Sequence, residues 1–227
     1  VKVAKEPLPA SVVAHQVTDI IKPQHTVILL HTRAATQGEP SNPNNNHPIY
    51  YKNGTVLIHN GVIHNDDTLK RIHNLHTDGE VDSEIILALY NHFGSKSKVK
   101  RIKKVISKLR GTMAFALYDY PFLFLYRHSN PLSLMYVPEW NAILFASEKE
   151  MLERLVTETI TYFNLFTAKK PVTKAYFHEM KNDELLVINF ETQRIDKDKA
   201  ETESLEFGGW YGGIYGGRKR NWKAYWY

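Results

Sequence analysis

An α+β domain built in layers is what this chain of 227 residues predicts. Three observations carry that reading. A block of helix-patterned sequence, Thr68 to Leu109, lies between two sets of short β-prone runs. The second set, Thr112 to Phe190, is parted by Pro, Asn and Ser, which suits hairpin-connected sheets better than alternating βαβ units. The apolar content of 43% and charged content of 23% are those of an ordinary soluble chain, long enough to bury a full core as one large domain or two small ones. There is no internal repeat.

Taken in order, residues Val1 to Pro23 carry a weak helical signal, with Val12, Val13, Val17, Ile20 and Ile21 spaced for one face. Thr26 to Leu30 is a continuous β-branched and apolar run, which predicts a buried strand. Gly38 to Asn46, with Pro40, Pro43 and three consecutive Asn, is loop. Val56 to His59 is the next strand, and Asn60-Gly61 between Ile58 and Val62 also reads as a tight hairpin. Thr68 to Asn74 is a short helix. Val81, Ile85 and Leu89 mark a longer one, with Asp82 at its start. Ile102, Val105, Ile106 and Leu109 form the apolar stripe of a third, whose basic face from Lys96 to Arg110 reads as solvated. Strands follow at Thr112 to Asp119, Phe122 to Arg127, Leu134 to Val137 and Ala142 to Ala146. A helix from Glu148 to Leu155 comes next, and a strand from Glu184 to Phe190 closes the compact part.

Composition excludes several functions. The chain has no cysteine, so disulfides, thiolate metal sites and cysteine nucleophilic catalysis by these residues are ruled out. The most apolar stretch, Phe115 to Tyr126, is interrupted by Asp119 and Pro121 and is too short to span a membrane. The opening residues lack the apolar core of a signal peptide, so the expected compartment is the cytoplasm, and Asn53-Gly54-Thr55 is a turn rather than a glycosylation site. The chain does not begin with Met, which fits methionine removal, processing or further sequence upstream. Neither a metal nor a cofactor is expected. The net charge of +5 is concentrated at the end, where Arg218, Lys219, Arg220 and Lys223 account for all but one of it. The nearly neutral body argues against a nucleic-acid-binding domain.

Three features read in two ways each. Arg33, just after the first strand run, is a surface ion-pair residue or a bidentate clamp for a carboxylate. Asn60 and Gly61 are a hairpin turn or an oxyanion hole made of an amide side chain and a backbone N–H. Asp82 is a helix N-cap or a partner for an ammonium group. Together, a cation for a carboxylate, an anion for an ammonium and an amide-donating pair describe a site for an α-amino acid amide.

The motifs His31-Thr32-Arg33-x-Ala35-Thr36-x-Gly38-x-Pro40, His47-Pro48, His59-Asn60-Gly61-Val62-Ile63-x-Asn65 and Asp82-Ser83-Glu84 resemble the class II glutamine amidotransferase domain. Leu109-Arg110-Gly111-Thr112-Met113-Ala114, Asn130-Pro131-Leu132 and Ala146-Ser147-Glu148 continue the likeness in the right order, from Thr26 to about Phe190. The resemblance implies the four-layer αββα sandwich of the N-terminal-nucleophile hydrolases, lacking its first strand in this chain. It also implies a mechanism in which an amino-terminal cysteine attacks the glutamine carboxamide, with its own α-amine as base, and ammonia passes to a partner. By matching positions, Arg33 would hold the α-carboxylate, Asp82 the α-ammonium, Thr36 would line the pocket, and Asn60 and Gly61 would form the oxyanion hole. Ala34 and Gln37 depart from the aromatic and His that synthases often carry there.

Because the attacking cysteine is absent, two readings stand. Either the cysteine lies on a leading segment and the protein is a glutaminase, or the fold persists as a catalytically inactive binding or structural module. Residues 1–206 are expected to form the amidotransferase-like domain and 207–227 a Gly, aromatic and basic tail. That tail suits docking to an ammonia-accepting synthase or other protein, stacking on single-stranded nucleic acid, or a disordered end.

Overall fold

Leu57 and Ile58 are neighbours on one strand and belong to two different cores. Side chains alternate across a strand, so a continuous apolar run can only be buried if both faces of its sheet are covered. The computed structural model describes residues 1–8, 12, 27–32, 38–155, 157, 174–199 and 223–226. Within these, β1 (Ile49–Tyr50), β2 (Val56–Ile63), β3 (Gly111–Asp119), β4 (Phe122–His128), β8 (Glu184–Asn189) and β9 (Arg194–Lys199) form a six-stranded sheet in the order β1-β2-β3-β4-β8-β9, antiparallel throughout. A second sheet has four strands, in the order β10 (Lys223–Trp226), β6 (Ala142–Ala146), β5 (Ser133–Val137) and β7 (Tyr176–Glu179).

Three apolar clusters define the layers. Leu57, Phe115, Leu117, Phe124 and Val187 of the first sheet pack with Ile85, Leu89, Ile102 and Val105. These come from α2 (Glu84–His92) and α3 (Lys98–Ile106), which with α1 (Asp66–His73) form the outer helical layer. The opposite face, through Ile58, Ala114, Ala116 and Leu125, meets Leu134, Ile143 and Phe145 of the second sheet. The outer face of that sheet, Met135, Val137 and Leu144, is covered by Leu152 of α4 (residues 149–155). Helix, sheet, sheet, helix is the expected αββα order.

Most elements fall where their periodicity places them, and the basic helix α3 buries Ile102 and Val105 while Lys98 pairs with Asp119 at 2.8 Å. Four expectations need correction. Of the run Thr26 to Leu30, Thr26 lies outside the described residues and Val27 forms an isolated bridge. Ile28 to Leu30 have no regular strand, because no described strand is hydrogen-bonded to them, although Ile28 is buried and Leu29 packs on the inter-sheet core. Asn60-Gly61 is not a hairpin, since β2 runs through it with Asn60 opposite Ala114 and Gly61 opposite Met113. Asp82 does not cap α2, whose N-cap residue is Ser83. Finally, β8 is not the last strand. β9 pairs with it from Glu184↔Lys199 to Asn189↔Arg194, its alternating charges suiting a sheet edge, and Lys223–Trp226 runs parallel to β6. Of the helix expected within residues 1–23, residues 1–8 are not helical, residue 12 is, and the rest lies outside the described residues. Among the described residues, no helix is long and apolar enough to cross a membrane.

Candidate functional site

The site grows from the far end of β2. Its first half, Val56-Leu57-Ile58, is apolar, and β1 covers its outer edge there through Ile49↔Leu57 and Tyr50↔Val56. Beyond Leu57 that edge is left open by the described strands. Which groups face it follows from the ladder. His64 donates its N–H to the Arg110 carbonyl at 2.8 Å, toward β3, while Ile63 donates the other way, to Asp82 Oδ2 at 2.5 Å. N–H groups two residues apart in a strand point to the same side, so the Gly61 N–H also faces the open edge.

Glycine is required at that position. Gly61 has φ +145, and a Cβ there would lie 2.0 Å from the Thr112 carbonyl oxygen. Gly111, across the same pair of strands with φ +140, would meet the Val62 carbonyl at the same 2.0 Å. The two glycines let β2 and β3 approach closely where the site begins. Asn60 is exposed and lines the mouth of a small cleft between the sheets, with Ile58, Ala114, Leu132, Phe145 and Ser147.

Asp82 is buried. Burial pushes its carboxyl above the ordinary carboxylate range, opposed by the main-chain N–H groups of Ile63 and Ser83. His59, on the same face of β2 as Ile63, is hydrogen-bonded through Nδ1 to Ser83 Oγ at 2.8 Å, and Ser83 Oγ lies 3.4 Å from Asp82 Oδ1. Full burial lowers the His59 pKa to about 4, so the ring is neutral near pH 7. Behind them, Glu84 of the first turn of α2 accepts the N–H groups of Asp78 at 3.0 Å and Gly79 at 2.7 Å, which fixes the loop entering the helix.

The structure therefore brings Asn60, Gly61 and Asp82 to one end of β2. Arg33 and Thr36 lie outside the described residues. His31, two residues before Arg33, contacts His47 with ring centroids 4.3 Å apart and the ring planes tilted by 44°. Among the described residues, no group of three or more His, Asp or Glu is placed to hold a metal ion. Three residues that spacing alone did not single out take part: His59 and Ser83, which join β2 to α2, and Asn130, whose Nδ2 donates to the Asn60 carbonyl at 2.9 Å. Each stands inside one of the motifs already quoted, which was the available signal.

Comparison with known proteins identifies the family. Residues 31–154 match the family model described as a glutamine amidotransferase domain. Glutamine–fructose-6-phosphate aminotransferase of Staphylococcus aureus is 27% identical over 173 residues, covering 74% of this chain and 27% of that enzyme. The Streptococcus agalactiae enzyme of the same name is 41% identical over 97 residues, covering 39% of this chain and 16% of its own length. The chain thus matches about a quarter or less of these relatives. In fold it is similar to the glutamine phosphoribosylpyrophosphate amidotransferase of B. subtilis, with a TM-score of 0.52 and 23% identity over 77% of this chain and 35% of that one. The alternating cores, the motifs in register and a family match over more than half the chain make this protein a member of the class II glutamine amidotransferase domain family, with the N-terminal-nucleophile hydrolase fold.

Proposed function

We propose that this domain binds glutamine along the open edge of β2 and hydrolyses its side-chain amide, handing ammonia to a synthase partner. One observation carries the reading: the Gly61 N–H and the Asp82 carboxylate share that edge. Gly61 and Ile63 are two residues apart, about 7 Å along a strand. An extended glutamine separates its α-nitrogen from its side-chain amide carbon by four bonds, roughly 5 Å. With its ammonium on Asp82, the substrate's amide oxygen reaches toward Gly61. Ile63 occupies Asp82 Oδ2 from one side only, which leaves carboxylate lone pairs for the ammonium.

In this mechanism Arg33 holds the α-carboxylate and Thr36 lines the same pocket. Asn60 and Gly61 donate to the oxygen that gains negative charge as a thiolate attacks. A protein donor aimed at that oxygen lowers the barrier without reorganising, each worth about 3–4 kcal/mol. Since these 227 residues contain no cysteine, the thiolate comes from a segment outside them. Residues 1–206 serve as the glutaminase domain, and 207–227 as a segment available to a partner protein or nucleic acid, with the whole acting in the cytoplasm.

Supplying an amino-terminal strand that carries a cysteine tests this directly. Ammonia release from glutamine is expected from the joined chain and not from an Ala variant of that cysteine. No release, together with no glutamine-induced stabilisation of the chain itself, would favour the inactive-module reading.

A further inference from the structure

We infer that Asn130 is a positioning residue for the oxyanion-binding peptide, an inference that rests on the glutaminase reading above. The carbonyl of Asn60 and the N–H of Gly61 belong to one planar peptide group. The ladder aims that N–H at the open edge, and Asn130 Nδ2 donates to that carbonyl at 2.9 Å. A peptide unit whose carbonyl accepts an added hydrogen bond is polarised and becomes a better donor at its N–H. The bond also adds to the β3 ladder in holding the peptide plane at Gly61, whose φ is +145.

Asn130 is itself held in place. Its own N–H donates to the His128 carbonyl at 2.9 Å, and the preceding Ser129, at φ +70, donates its N–H to Asn182 Oδ1 at 2.6 Å. Pro131 follows and stiffens the turn, and Leu132 is anchored in the inter-sheet core. The 70-residue separation from Asn60 makes this a tertiary device, with a loop after β4 bracing the end of β2. An amide held this firmly acts on the reaction through Gly61, without touching substrate.

The test uses the labelled chain and three variants, Asn130→Asp, Asn130→Ala and Asn130→Gln, read by nuclear magnetic resonance and thermal melting. Asp is nearly isosteric with Asn and cannot donate when ionised. In the Asp and Ala variants, the Asn60 carbonyl carbon and Gly61 amide nitrogen resonances are expected to move, and the glutamine-induced change at Gly61 to fall by more than half. The change at Ile63, beside Asp82, should persist, and Gln should restore part of the Gly61 response. With the cysteine-bearing strand supplied, Asn130→Asp should lower kcat about tenfold with KM little changed, because a misplaced donor costs less than the ~10²–10³ of a deleted one. Unmoved Asn60 and Gly61 resonances, or an undiminished Gly61 response in a folded Asp variant, would overturn the proposal. If the unaltered chain shows no response to glutamine anywhere, the glutaminase reading fails. The Asn60 carbonyl comparison still decides whether Asn130 restrains the peptide.

Discussion

Asp82 Oδ2 accepts the main-chain N–H of Ile63 at 2.5 Å, so the carboxylate that precedes α2 is fastened to the edge of β2. Helix and strand are tied a second time by His59 and Ser83, four residues back along the same face. Two bonds of this kind make the distance between Asp82 and Gly61 a property of the backbone ladder.

Replacing Asp82 by Ala leaves the buried Ile63 N–H without its acceptor, at a cost of roughly 1–3 kcal/mol. It also removes the anion proposed to hold a substrate ammonium. Glutamine is expected to raise the melting temperature of the unaltered chain. Asp82→Ala and Arg33→Ala should each abolish that shift. Because burial holds the Asp82 carboxyl above the usual range, glutamine affinity should weaken on acidification before an ordinary carboxylate would protonate. Calorimetric titration across pH checks this.

His59 makes stability depend on pH. Its folded pKa of about 4 lies below the unfolded value near 6.5, so between them the unfolded chain binds a proton that the folded chain does not. The stability it contributes is whole above pH 6.5 and is lost as pH falls toward 4, by at most about 3 kcal/mol. Urea unfolding of His59→Asn should show a shallower pH dependence across that window than the unaltered chain. An identical slope would mean that His59 is not the group that titrates.

Gly61→Ala places a methyl group 2.0 Å from the Thr112 carbonyl, at a φ that side chains rarely adopt. The strands must separate, and a loss of more than ~2 kcal/mol is expected by chemical denaturation. Gly54→Ala is the control. Its φ of +88 is also strained, but nothing lies within 4 Å of the added carbon, so its loss should be smaller.

Deleting residues 208–227 removes β10 and exposes the edge of β6 from Ala142 to Phe145. An uncovered edge invites pairing with another chain, so increased self-association in light scattering is expected. Oligonucleotide binding and co-purification of a partner, compared before and after the deletion, decide which the tail serves.

Much of this protein is written in local pattern. The heptad-like spacing of Ile102, Val105 and Ile106, the apolar runs of β3 and β4, and the order of the motifs were enough to place helices, strands and family, because burial imposes a period on any chain that folds. Asn60-Gly61 was legible as a break within an apolar run, and Asp82 as a carboxylate at the start of a helix pattern. What sequence could not decide is which alternative each would take. Asn60-Gly61 satisfies a hairpin as well as a strand by local conformation, and only pairing with Ala114 and Met113 of β3 selects the strand. Asp82 suits a helix cap by propensity, and only the arrival of the Ile63 N–H from a strand 19 residues earlier redirects it. The run at Ile28 has the composition of a strand, yet no described strand is hydrogen-bonded to Ile28 to Leu30. Local propensity chooses among a few conformations at a fraction of a kilocalorie per residue. Long-range hydrogen bonds in a buried site cost several times that when left unmade, so tertiary structure has the final decision there.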